Sequence, residues 1–293
     1  MSAPDIDRRA LRRASSRAAA TYAGAAVLAR EVESRMLERL QYIKLDPRAV
    51  LDAGCGDGHG TTRIAERYPG ARVVGLDFAF PMFAAATGGG SWLRHVFRRT
   101  RIDRLCADFT GLPLAAASVD LAWSNLALHC AGDPLPALKE FRRVLKVGGL
   151  LMFSCYGPDT LKELKGAFTA HDSAPHVHGF IDMHDLGDML SVSGFAAPVM
   201  DMEVITLTYA GVDALLADLR ATGQQNALAG RRRGLTGKGV LAAMRDEYDK
   251  LRREGRLPAS FEIVYGHAWK PEPRTIDHGR AIVKMPALRA KDG

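Results

Sequence analysis

Residues 52–58 read Asp-Ala-Gly-Cys-Gly-Asp-Gly, and no other run in the chain limits the possible folds as much. Gly54, Gly56 and Gly58 follow a short apolar run at 49–52 and open a stretch of helical spacing that reaches Tyr68. Glycine has no side chain and tolerates positive φ, so such a loop lets backbone approach a ligand closely. The helix beginning beyond it adds N–H groups that have no partner inside the helix. The spacing is G-x-G-x-G, with His59 next. A nicotinamide loop would read G-x-G-x-x-G, and a P-loop would need G-K-S/T, which is absent.

The rest of the chain alternates between short apolar runs and helical spacing. Leu28, Val32, Met36, Leu40 and Ile43 predict an amphipathic helix over 25–43. Strands are predicted at 49–52, 72–77, 102–107, 119–124 and 150–155. Between the last two, a helix over 134–145 is expected to end at Gly148-Gly149. Further helices are expected over 158–170 and 185–192, and further strands over 199–209 and 260–269. Residues 212–254 read as helical, broken by a Gly/Arg-rich turn at 230–239. Strands alternating with helices predict an α/β fold: a seven-stranded, mostly parallel sheet with helices on both faces. The helical stretch then forms an insertion between the last two strands.

Composition narrows the class. With 293 residues, 47% hydrophobic and 25% charged, the chain is neither mainly disordered nor collagen-like nor a coiled coil. No apolar run approaches the roughly 20 residues that span a bilayer. Four cysteines without a C-x-x-C pair exclude a disulfide scaffold and argue against a zinc or redox motif; they read as small buried residues. The net charge of +7 suits an anionic partner. Arg8, Arg9, Arg12, Arg13 and Arg17 cluster near the start, where Asp5 and Asp7 speak against a transit peptide and no apolar segment suggests a secretory signal. The segment reads as a mobile basic arm, and a cytoplasmic location is expected.

Two further acids stand just past strands. Asp77 ends the second strand, 21 residues after Gly56, where a carboxylate can accept from both hydroxyls of a ribose. Such charge-assisted bonds contribute about 1.5–3 kcal/mol each. The third strand ends in Ala107-Asp108-Phe109, where an acid can accept from an exocyclic amine while Phe109 or Leu112 flanks an adenine face. Ligands of such sheets bind outside the carboxyl ends of the strands.

These residues, over about 48–157, resemble the class I S-adenosylmethionine-dependent methyltransferases. The resemblance implies a Rossmann-like fold and S-adenosylmethionine as cofactor. It implies that Asp52, Gly54, Gly56 and Gly58 cradle the methionine part, that Asp77 with Phe78 holds the ribose, and that Asp108 and Phe109 meet the adenine. Asn125, within 124–129 after the fourth strand, would line the methyl-transfer site. A narrower resemblance covers nearly the whole chain, through residues 123–128, 157–164, 182–188, 232–237 and 265–271. These look like the malonyl-acyl-carrier-protein O-methyltransferases of biotin synthesis. That family implies the free carboxylate of a malonyl thioester, on an acidic acyl carrier protein or coenzyme A, as methyl acceptor. Methyltransferases of quinone synthesis and methyltransferase-like assembly factors of respiratory complexes are the alternatives. His129 stands where the narrower pattern has Gln, and Gly179, beside His178, where it has Arg.

Methyl transfer to a carboxylate needs no general base, because an acid of reference pKa near 4 is already ionised at neutral pH. The acceptor side then needs a group to hold that acid. Tyr22, His129, His178 and an arginine of 231–233 are the candidates. His171, His176, His178 and His184 lack metal-ligand spacing, so no metal is expected. Arg231, Arg232, Arg233 and Lys238 are the expected docking patch for the carrier, with Arg98, Arg99 and Arg101 as the fallback. No aromatic interleaving marks a nucleic-acid surface, and no membrane contact is expected. The chain divides into 1–46, an arm and cofactor-covering helix; 47–209 with 258–271, the core; 210–257, a helical cap; and 272–293, a tail.

Overall fold

The computed structural model describes residues 5–82, 101–273, 276–277 and 280–281. The loose basic stretch with Arg98 and Arg99, and most of the tail, lie outside the described residues. A seven-stranded sheet forms the centre, built from β1 (Ala49–Ala53), β2 (Arg72–Asp77), β3 (Arg101–Cys106), β4 (Val119–Ser124), β5 (Leu145–Tyr156), β6 (Ala196–Tyr209) and β7 (Leu257–Trp269). The order is β3-β2-β1-β4-β5-β7-β6. The first five strands run parallel, and β7 runs antiparallel to both β5 and β6. The expected mostly parallel α/β fold is therefore observed. The strand order reverses between β1 and β4, which places a ligand crevice at the carboxyl end of β1.

The chain forms these elements because its apolar residues alternate between two faces. On β4, Leu121 and Trp123 join one core and Ala122 the other. The first core is closed by α3 (Val27–Leu40), through Val32, Met36 and Leu40, and by Met244 and Tyr248 of the insertion. The second is closed by α5 (Leu135–Val144), through Leu138 and Phe141, and by α7 (Met183–Val192), through Leu186 and Leu190. Each such aliphatic side chain, fully buried, contributes about 1.5–3 kcal/mol. Between these lie α4 (His59–Arg67) after the glycine loop and α6 (Lys162–Thr169).

Three expectations are corrected. The basic N-terminal segment is a helix, α1 (Arg8–Ala18), not a mobile arm. Asp7 caps it by accepting from Ala10 N at 3.0 Å, and Leu11, Ala14 and Ala18 form a buried stripe between the arginines. Gly148-Gly149 does not end a helix. The helix stops at Val144, and Gly148, at φ +75°, sits inside β5, where the pair exchanges backbone bonds with Lys270. The insertion is helical only in α8 (Val212–Ala221) and α9 (Lys238–Asp249). Gly223, at φ +76°, ends α8, and the chain then runs irregularly to Gly237. A short helix, α2 (Tyr22–Ala25), joins α1 to α3, and β8 (Ile276–Asp277) pairs with β9 (Arg280–Ala281) in the tail. Among the described residues no helix is long and apolar enough to cross a membrane.

Candidate active site

The glycine loop is pinned where it leaves β1. Gly54 N and Cys55 N both donate to Leu76 O, at 2.7 and 2.9 Å, which ties the loop to the end of β2. Gly54 has φ +80°, and a Cβ there would overlap the Cβ of Ala127, so glycine is required. Asp77 then organises the turn: Oδ2 accepts from Gly56 N at 3.0 Å and Oδ1 from Ala79 N at 2.8 Å. Each oxygen keeps acceptor capacity for one of two neighbouring hydroxyls. Burial pushes the Asp77 carboxyl up to about 6.

Beneath the loop, Asp52 is buried and accepts from Thr61 Oγ1 at 2.6 Å. Burial pushes it up to about 7, against the pull of that hydroxyl and with a push from Glu33. Glu33 comes from α3 and lies 3.0 Å from His59 Nδ1 and 3.8 Å from Arg63. Its own carboxyl is raised by burial, with His59 and Arg63 pulling back. Glu33, Asp52 and Asp57 line a small cavity of about 30 Å³ with Tyr22, Gly54, Trp123 and Asn125, and Asp77 lies behind Gly56. The buried indole N–H of Trp123 has no acceptor among the described residues. Arg30, 3.6 Å from Asp57, and His59 line the same cavity, so three acids face one guanidinium, a balance that still favours a cationic ligand. Glu33 is the site residue that the sequence reading missed. Its signal was an acid on the buried stripe of an amphipathic helix, between Val32 and Met36.

The other expected cofactor residues are placed differently. Asp108 is already engaged: Oδ1 accepts from Thr110 N and Oγ1, at 2.8 and 2.7 Å, and Oδ2 from the Arg8 guanidinium. Burial pushes this carboxyl up, but the Thr110 donors and Arg8 outweigh it and hold it below the usual range. Phe109 and Leu112 are buried in the second core, so neither ring nor chain is presented as a flat face. Phe109 reaches beneath Gly54 and packs on Phe141 at 6.1 Å. Phe78 is half-buried beside Asp77. Asn125 uses both ends internally: Nδ2 donates to Ala29 O and Oδ1 accepts from Ser154 Oγ, each at 2.8 Å. It fastens α3 to the end of β4 while lining the loop cavity.

Tyr22 joins two spaces. Its ring packs on Gly56, and it lines both the loop cavity and a second space of about 40 Å³. That space shares Tyr156, Leu219, Gln224 and Phe261 with a third cavity of about 260 Å³. The large cavity is mostly apolar, walled by Leu161, Leu164, Phe168 and Phe180, with Arg220 and Gln225 among its polar lining. Burial, with Asp57 and Asp77 nearby, pushes the Tyr22 phenol up, so it stays protonated. Gln224, unflagged by the sequence, stands where the two spaces meet.

His129 and His178 are neutral. His129 lies between Tyr156 at 4.6 Å and Phe180 at 5.7 Å, and neither ring nitrogen has a partner among the described residues. Burial, then His178, pushes it down to about 3. It lines only a narrow void beside the large cavity. His178 lines the large cavity itself; Nε2 accepts from Ala227 N at 2.8 Å, which leaves the proton on Nδ1. Burial lowers it to about 4.

The arginine run is split. Arg231 pairs with Asp7 at 3.0 Å, and Arg232 with Asp172 at 3.0 Å. Asp172 also meets His176, which stacks on Phe168 at 3.8 Å. Neither arginine lines the cavity, so neither holds a substrate acid there; they fasten the irregular segment to its neighbours. Arg233 and Lys238 are exposed. Among the described residues, no three His, Cys, Asp or Glu side chains gather to hold a metal ion.

Residues 51–153 match the family model described as a methyltransferase domain. A malonyl-[acyl-carrier protein] O-methyltransferase of Gallionella capsiferriformans is 53% identical over 279 residues, 95% of this chain and 96% of that protein. One of Laribacter hongkongensis is 50% identical over 285 residues, again 95% and 96%. Among solved structures, the YcgJ protein of a Bacillus superposes with a TM-score of 0.57 at 16% identity, covering 83% of this chain and all of that one. A putative methyltransferase of Bacillus halodurans gives 0.56 at 16%, covering 82% and 98%. At such identity these two speak for the fold alone. The curated relatives say more: with half the residues shared over nearly the full length, the chain belongs to the malonyl-[acyl-carrier protein] O-methyltransferase family.

Proposed function

We propose that this chain is an S-adenosylmethionine-dependent O-methyltransferase that converts the free carboxylate of malonyl-acyl-carrier protein to its methyl ester, in biotin synthesis. The observation that carries this reading is the run of connected spaces, in which Tyr22 separates an acid-lined glycine loop from an apolar cavity large enough for an acyl arm. The residues fit the cofactor: Glu33, Asp52 and Asp57 suit its ammonium and sulfonium charges, and Asp77 its ribose diol. When bound, S-adenosylmethionine supplies a methyl group on cationic sulfur, which the carboxylate oxygen displaces in line.

What this chain contributes is placement. Orientation of this kind can lower a barrier by about 7–11 kcal/mol. Leu219, Tyr156 and Phe261 give the space between the two sites an apolar wall. Gln224 and the Tyr22 hydroxyl offer neutral donors for the acceptor acid at the junction, and His178 Nδ1–H offers one further along the cavity. Neutral donors hold a carboxylate without the deep ground-state stabilisation that a buried guanidinium would add, which preserves its nucleophilicity. The insertion caps the acyl cavity, and α1 to α3 cover the cofactor.

The purified protein should transfer a labelled methyl from S-adenosylmethionine to malonyl-acyl-carrier protein, adding one base-labile ester. Gln224→Leu should lower kcat/KM about tenfold while leaving cofactor affinity unchanged. No label on the malonyl arm, or label on a quinone precursor instead, would overturn the reading.

A further inference from the structure

Four arginines of α1 share one face. Arg9, Arg12, Arg13 and Arg17 stand opposite the buried Leu11, Ala14 and Ala18, and all four are exposed. With Ser16 they wall a shallow groove on the outside of the helix. Among the described residues none of them closes an ion pair. Arg13 alone lies near enough to Asp7 to help hold that carboxyl down, behind the Ala10 N–H and Arg231. Several arginines elsewhere on the surface are matched, such as Arg35 with Glu31, Arg39 with Asp201 and Arg245 with Asp213, and the exposed ones without an ion pair among the described residues, such as Arg233 and Arg253, are not gathered four to a helix face. The α1 face is thus a concentration of uncompensated charge.

The helix that carries this face also packs on the segment that lines the large cavity. A Cβ on Gly223 would sit 3.3 Å from the Ser15 backbone, Thr21 Oγ1 donates to Ala221 O at 2.9 Å, and Asp7 N donates to Ala227 O at 2.8 Å. Gln224, Gln225 and Asn226, within that same segment, line the cavity, as does the exposed Arg220. We propose that the arginine face of α1 is the docking surface for an acidic protein, the carrier that presents the malonyl thioester. This assignment rests on the function proposed above and moves the docking surface away from the 231–233 run. Guanidinium groups match carboxylates in a two-pronged geometry. A lipid surface is the poorer partner, because the apolar side of α1 is buried and none remains to enter a bilayer. Nucleic acid is poorer too, because the face carries no aromatic ring for a base to stack on.

The test is a variant carrying Arg9→Gln, Arg12→Gln, Arg13→Gln and Arg17→Gln together, beside a second with all four changed to Lys. Fluorescence anisotropy with labelled malonyl-acyl-carrier protein reads binding, and malonyl-pantetheine, which lacks the protein surface, reads turnover separately. The Gln variant should bind the carrier about tenfold more weakly at low salt and show a flatter salt dependence. Its turnover of malonyl-pantetheine should be unchanged, and the Lys variant should keep most of the carrier affinity. Unchanged carrier affinity in the Gln variant overturns the proposal, as does an equal loss towards both substrates. Loss of binding to a single-stranded DNA probe with the carrier affinity retained would assign the face to nucleic acid and also overturn it. If the wild-type chain binds the carrier through α1 yet methylates neither substrate, the proposed activity falls and the docking surface stands.

Discussion

Asp77 takes Gly56 N and Ala79 N on separate oxygens, so the carboxylate that we assign to the ribose also holds the loop in shape. Asp77→Ala would strand two amides, each at a cost of about 1–3 kcal/mol, and would confuse ligand loss with loop collapse. Asp77→Asn keeps the volume and one acceptor. It should weaken S-adenosylmethionine binding by tenfold or more in calorimetry, with a smaller fall in melting temperature than Asp77→Ala. Near-normal affinity in the Asn variant would remove the ribose assignment. Asp52 and Asp77 were legible in the sequence because each is an acid closing an apolar strand, a position that a buried chain does not give to a charge without a use. Glu33 was not, because its partner His59 lies 26 residues away and only the fold makes them neighbours. Arg8 on Asp108, a hundred residues apart, was hidden for the same reason.

The elements that cover the site depend on one irregular segment. Residues 226–232 pair with Ile6 through Leu228, donate to His178 from Ala227 N and to Pro175 O from Asn226 Nδ2, and reach Asp7 and Asp172 through Arg231 and Arg232. Helix α1 over the cofactor side and the wall of the acyl cavity are thus fastened to the same strip of backbone. Asp7 is its hinge point, since it caps α1 and binds Arg231 at once. Asp7→Ala removes both the cap and the partner of Arg231, which should loosen the start of the helix. Amide hydrogen exchange should then speed up in the first turn of α1, at Ala10 and Leu11, by about fivefold, while β4 and β5 stay protected. Unchanged exchange in α1 would mean that the helix is held by its apolar stripe alone.

Across the whole molecule, buried acids and buried imidazoles oppose each other. Asp52 and Asp77 are raised to about 7 and about 6 from 3.8, so the folded chain keeps protons that the unfolded chain releases. Their contribution to stability therefore falls as pH rises from about 4 towards those values. His129 and His178 are lowered to about 3 and about 4 from 6.5, so the unfolded chain takes up protons that the folded chain refuses. Their contribution is complete above about 6.5 and is lost as pH falls. Glu33 is raised and His267 lowered, both first of all by burial, one more on each side. Between about pH 5 and 6 these two sets oppose each other, while below about pH 5 the carboxylates held low by their partners, among them Asp108, Asp120 and Glu140, make stability fall with acid. Asp52→Asn removes one side of the balance. Urea unfolding at pH 4.5 and 6 should then show stability declining with acid by about 1.4 kcal/mol per pH unit more than in the unaltered chain. Parallel profiles for the two proteins would be incompatible with a protonated Asp52.

The sheet, the loop and the places of Asp52 and Asp77 follow from local chemistry. Continuous apolar runs at 49–51 and 121–123 say which strands are buried on both faces, and glycine at 54, 56 and 58 says where the backbone turns. Family membership was legible for the same reason, since its motifs are carried by such runs. The acceptor side was decided by tertiary structure. The arginines at 231–233 read as one patch in sequence, yet Asp7 and Asp172 take two of them, from segments far apart in the chain. Gln224 has no motif, and its place between two cavities exists only because α8 ends at Gly223 against Ser15. A local pattern fixes which way a residue faces on its own element. Which partner meets it depends on how distant elements pack, and no spacing along the chain encodes that.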